Sequence, residues 1–155
     1  MSDSARHFIR LLDELARTRG RTAIAFRDIR IEHGLTEVEN IVLTAVTGAE
    51  RLSTVPQIGR SLGHPRQVIQ RAADALIDRH LVDWSENPDH KRARLLIPTA
   101  EGSRLRRIAD VAGLARAAEL TAAIDPRLIE TTVDGLHAIR VAIEAGLRLT
   151  GDAGR

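Results

Sequence analysis

The chain has 155 residues, 43% hydrophobic, 28% charged and only 2% aromatic, so one aliphatic-cored domain fits its length. The net charge is +2, and the basic complement is almost all arginine, with Lys91 the only lysine, so any nucleic-acid role must rest on where the positive charge is placed. With no cysteine there is no disulfide framework, cysteine-ligated zinc site or thiol switch, and no apolar run reaches the roughly 20 residues a bilayer crossing needs.

The first apolar stripe, through Phe8, Leu11, Leu12, Leu15, Phe26 and Ile29, steps by helical intervals and predicts helix over 4–31, interrupted at Gly20. Thr36 and Glu39 form a capping-box pattern that opens a helix ending near Gly48. Thr54 and Gln57 repeat the pattern, with Pro56 in a first turn whose amide donors are free in any case. That short helix should stop at Gly63, with His64 capping the next one, which begins at Pro65 and runs to about His80.

Leu81 to Ser85 and Arg94 to Ile97 read as two short strands around a turn at Asn87, Pro88 and Asp89. Thr99 caps a long helix to about Ile124. Asp125 and Pro126 open a last one, whose stripe is Ile129, Val133, Leu136, Ile139, Ile143 and Leu147. The order of capped helix, glycine turn, amphipathic helix and basic hairpin is that of a helix-turn-helix with a wing.

Within the second helix of that pair, Ile69, Ala72, Ala73 and Leu76 form the core stripe, leaving Gln67, Gln70, Arg71 and Asp74 on the opposite face beside Arg66. Glutamine and arginine can pair with adenine and guanine edges in the major groove. Gln67, Gln70 and Arg71 are therefore candidates for base contact, and Arg66 for phosphate or base. His90, Lys91, Arg92 and Arg94 put a basic tip on the hairpin, suited to a narrow minor groove. Trp84 reads as a hairpin packing residue, and the acidic Asp83 and Glu86 belong on a side turned away from phosphate.

The segments IGRSLGHPRQVIQRAADALIDRHLV and NPDHKRARLLIPTAEG have the length and spacing of the MarR family of winged-helix transcriptional regulators, which the chain resembles over essentially its whole length. The resemblance implies a mostly α (α+β) fold: one domain over 1–155, a winged helix lobe at 36–99, and dimerisation helices at 4–31 and 100–150. It places the family's wing arginine at Arg92, with Lys91 and Arg94 as phosphate partners. The chain departs from the family at His80, where a glycine usually closes the recognition helix. It departs again at Pro98, where leucine is common.

The expectation is a cytoplasmic homodimer that binds double-stranded DNA at a pseudo-palindromic operator, represses, and is released by a small-molecule effector. The resemblance puts such an effector near Arg10, Arg17, Phe26 and the helix from Thr36. The alternative is a winged-helix module for protein–protein interaction with a vestigial DNA face. No membrane association and no cofactor are expected. The six histidines (His7, His33, His64, His80, His90 and His137) are scattered, with no helical pair spaced to ligate a metal. No nucleophile elbow, phosphate loop or paired-carboxylate pattern points to an enzyme.

Overall fold

The structure, a computed structural model, describes residues 3–90 and 93–152, with only the helical backbone described for 148–152. Lys91 and Arg92 lie outside the described residues. The elements are α1 (Asp3–Ala25), α2 (Arg27–Glu32), α3 (Glu37–Thr47), β1 (Ser53–Thr54), α4 (Val55–Leu62), α5 (Arg66–Asp78), β2 (Val82–Ser85), β3 (Leu95–Pro98), α6 (Ala100–Thr121) and α7 (Pro126–Asp152). Contacts gather them into two compact units, one up to Arg116 and one from Ala117.

The first helix breaks at Phe26, not at Gly20. Phe26 sits at φ −103°, ψ 8°, between α1 and α2, while Gly20 stays within α1 with open space where a Cβ would stand. A lone glycine costs a helix only about 1 kcal/mol, which neighbouring turns absorb. The break is bridged by Arg30 of α2, which donates from Nη2 to the Ala23 carbonyl of α1 at 3.0 Å.

Both capping boxes form. The amide of Glu39 donates to Thr36 Oγ1 at 3.2 Å and Glu39 Oε2 accepts from the Thr36 amide at 3.0 Å. Gln57 and Thr54 make the same exchange at 3.4 and 2.8 Å. The Thr54 cap requires extended backbone (φ −83°, ψ 159°), and that conformation lets Ser53 and Thr54 pair with Leu96 and Leu95. The sheet is therefore three-stranded and antiparallel, in the order β1–β3–β2, and not a two-stranded hairpin alone. A two-residue strand is too short to show alternation in a sequence.

α4 and α5 end in the same way. After α4, the amides of Gly63 and His64 donate to Arg60 and Gly59, and Gly63 takes φ +67°, a left-handed turn glycine adopts without a Cβ clash. After α5, the amides of His80 and Leu81 donate to Ile77 at 2.8 Å and Leu76 at 2.9 Å, and His80 takes φ +56°. A histidine thus occupies the glycine position of a Schellman turn. His64 is not a cap: the position before α5 is Pro65, and no side chain there bonds the helix. The fixed φ of Pro65 starts the helix without one.

The core is aliphatic. Val42, Leu43 and Val46 of α3 meet Ile58 of α4, Ile69, Ala72, Ala73 and Leu76 of α5, and Val82 and Leu96 of the sheet. Thr99 fixes the start of α6: its hydroxyl donates to the His80 carbonyl at 2.7 Å and accepts from the Gly102 amide at 2.9 Å. Gly102 passes so close to Leu81 that a Cβ there would lie 1.9 Å from its carbonyl oxygen. In the same turn Arg104 grips Glu101 through two hydrogen bonds, at 2.8 and 2.6 Å. They hold the carboxyl below the usual carboxylate range and raise the guanidinium above its own.

Among the residues whose side chains are described, neither α1 nor α7 contributes a buried one. Ile129, Val133, Ile139, Ile143 and Leu147 of the α7 stripe are exposed, and Leu136 is half-buried. On α1, Phe8, Ile9, Leu12 and Leu15 are exposed as well.

Candidate nucleic-acid interface

Burying Ile69, Ala72, Ala73 and Leu76 turns the other side of α5 outward, so Arg66, Gln67, Arg71 and Asp74 are exposed and Gln70 is half-buried. The four base-contact candidates Arg66, Gln67, Gln70 and Arg71 line one surface hollow together. A second groove, of about 440 Å³, joins Arg66 and Gln70 to Trp84, His90 and Arg94, so the recognition helix and the wing share a continuous surface. A third joins Arg51, Gln57 and Arg60 to the turn from Asn87 to His90.

The guanidinium groups of Arg51, Arg60, Arg66 and Arg71 meet no carboxylate among the described residues. Elsewhere, Arg17, Arg104, Arg106 and Arg140 are paired with Asp13, Glu101, Asp110 and Glu144. Arg51 and Arg60 were absent from the sequence expectation. What marks them is the fold, which sets the outer side of α4 and the entry to β1 against the wing; neither belongs to a periodic pattern.

The turn of the wing is closed by Asn87. Asn87 Nδ2 donates to the Ala93 carbonyl at 2.8 Å, and Asn87 Oδ1 accepts from the Asp89 amide at 3.0 Å. His90 is exposed beyond this turn. Trp84 packs against the core as expected, but it also carries Arg94, whose guanidinium carbon lies 4.7 Å from the ring centroid. Such a stack contributes about 0.5–1 kcal/mol at an exposed site, so Arg94 is tied to the root of the wing. Asp83 and Glu86 are exposed.

Of the expected effector positions, Phe26 and the helix from Thr36, through Asn40, line one cavity of about 290 Å³, together with Ile29, Arg30, Arg106, Asp110 and Leu114. Arg10 and Arg17 do not line it. Both are exposed on α1, and Arg17 is engaged by Asp13 at 2.8 Å. Within the cavity Arg106 is paired with Asp110, and the nearest partner of Arg30 is a backbone carbonyl.

The MarR family model matches residues 33–93, the stretch from the end of α2 to the wing. An uncharacterized protein of Mycobacterium bovis is 32% identical over 117 residues, covering 76% of this chain and 80% of that protein. The chain belongs to the MarR family. Among solved structures, a MarR-family transcriptional regulator from Rhodococcus sp. RHA1 superposes with a TM-score of 0.75 at 24% identity, covering 89% of this chain and 96% of that one. CouR from Rhodococcus jostii RHA1, solved with p-coumaroyl-CoA, gives 0.72 at 24% identity over 81% and 87% of the two chains. CouR, a transcriptional repressor, solved on a 23-mer DNA duplex gives 0.71 at 22% over 82% and 89%. Family and fold are those of transcriptional regulators, not enzymes. No helix among the described residues is long and apolar enough to cross a membrane.

Proposed function

We propose that this MarR-family chain is a sequence-specific DNA-binding regulator. It acts as a cytoplasmic homodimer that represses from a pseudo-palindromic operator and leaves when a small molecule binds. The observation that carries the DNA reading is the set of uncommitted arginines. Arg51, Arg60, Arg66 and Arg71 hold unneutralised charge around one continuous surface of α4, α5 and the wing, and a surface that neutralises phosphates gains affinity by releasing counterions.

On this reading Gln67, Gln70 and Arg71 meet base edges in the major groove. Arg66 meets phosphate or base, and the wing tip (His90, Lys91 and Arg92) follows the neighbouring minor groove. Arg94 supports the wing from Trp84. One such helix reads only a few base pairs, so specificity comes from a second copy about one helical turn away. The uncovered stripes on α1 and α7 supply the surface for that copy. Release is supported by the cavity at Phe26, where Arg30 offers a cation to an anionic effector; CouR, of the same fold, binds an acyl-CoA.

The test is binding of the full chain to duplex DNA from upstream of its own gene, titrated across salt and against unrelated DNA. We expect binding that survives competitor, weakens as salt rises, and loses about one unit of salt slope for each phosphate-contacting arginine changed to alanine. Arg71→Ala with Arg92→Ala should abolish binding and leave the dimer intact. Unchanged affinity in that double variant would overturn the mechanism in favour of a protein-interaction module.

A further inference from the structure

Asp74 is out of place on a surface that meets phosphates. It is exposed on the outer face of α5, one turn beyond Gln70, where a carboxylate repels the duplex whatever its sequence. Its partner explains its presence: Gln70 Nε2 donates to Asp74 Oδ1 at 2.9 Å.

That bond settles which way the amide points. An ionised carboxylate only accepts, so the side of the Gln70 amide that faces it must be the nitrogen. Oε1 and the second N–H remain for a ligand, and Gln70 borders both the hollow on α5 and the groove toward the wing. Resting on the DNA-reading role proposed above, the geometry points to Asp74 as a specificity-determining residue. By holding Nε2 of Gln70 it makes Oε1 the group offered to the major groove, so that α5 selects a base with an exocyclic amine on the contacted strand.

Two bases qualify. Adenine presents N6–H as donor with N7 beside it to accept the remaining N–H, and cytosine presents N4–H alone. Guanine and thymine offer acceptors at that place, which oppose Oε1. Without Asp74 the amide can turn over and donate to guanine or thymine, so the selection relaxes. Loss of the carboxylate also removes a repulsion felt by every sequence, which strengthens binding overall. The two effects are separable: one belongs to a single base pair and the other to all of them.

The experiment selects bound duplexes from a random-sequence pool with the full chain, then with Gln70→Ala and Asp74→Ala. Affinities are next measured on the selected site and on the same site with single base pairs inverted. Inversion moves the amine across the groove while keeping composition. We expect Gln70→Ala to lose its preference at one position per half-site, where the wild-type chain selects adenine or cytosine. Inverting that pair should cost the wild-type chain roughly tenfold in affinity, and Asp74→Ala no more than about twofold. Asp74→Ala should bind all duplexes somewhat more tightly and keep the rest of the site. The proposal is overturned if Asp74→Ala retains the full inversion penalty, if the wild-type chain selects guanine or thymine there, or if Gln70→Ala loses no position. If the wild-type chain enriches no sequence at all, the DNA-reading function itself falls and this inference falls with it.

Discussion

At His80, the turn that closes α5 is built on a side chain with a Cβ, at φ +56°. A left-handed residue other than glycine carries about 1–2 kcal/mol of strain, here borne by the two closing hydrogen bonds and by the Thr99 hydroxyl on the His80 carbonyl. Two of the three use the His80 amide and carbonyl and the third joins the Leu81 amide to Leu76, so none needs the imidazole and none is lost in His80→Gly. We expect that variant to be more stable by about 1 kcal/mol, a rise of roughly 2–4 °C in thermal midpoint, after allowing for the extra freedom glycine has when unfolded. A fall in midpoint would mean that the imidazole makes a stabilising contact of its own. The departure from the family at this residue was legible in the sequence, because a Schellman turn is local and its φ requirement is known beforehand. The pairing of Gln70 with Asp74 was not, although both residues stood on the expected face. Spacing brings two side chains within reach, but rotamers decide whether they bond.

Among the elements, the wing shows how little of its stiffness comes from strand pairing. β2 and β3 are four residues each, short for an independent hairpin. Asn87 closes the turn above them through bonds to Ala93 and Asp89, and Arg94 stacked on Trp84 closes the base. Asn87→Ala removes the first of these. It should leave the thermal midpoint within about 2 °C while speeding amide exchange in the turn that carries Asp89 and His90. Unchanged exchange would show that the Trp84 stack holds the wing alone. The C-terminal ends of α3, α4 and α5, the capping boxes and the α5 stripe were readable in advance because each depends on residues within one or two turns. β1 and the break at Phe26 were not. Ser53 becomes a strand only because Leu96 lies opposite, and the bond from Arg30 to the Ala23 carbonyl spans the break between residues seven apart.

For the whole molecule, the balance of apolar surface is uneven. The helix-turn-helix and sheet enclose their own core, whereas α1 and α7 turn Phe8, Leu12, Val133, Ile143 and their neighbours to solvent. If a second copy covers these stripes, Val133→Asp with Ile143→Asp should yield a monomer in sedimentation, with the α5 region still folded. A variant that still sediments as a dimer would place the interface elsewhere.

The stripe on α7 also has a thermodynamic consequence. When part of a fold is completed by another molecule, its free energy contains a concentration, and each tenfold dilution costs about 1.4 kcal/mol per dimer. The thermal midpoint of the unmodified chain should then slide down by roughly 2 °C per decade, and that of the double aspartate variant should stay flat. For a chain completed in that way, dilution becomes a denaturant.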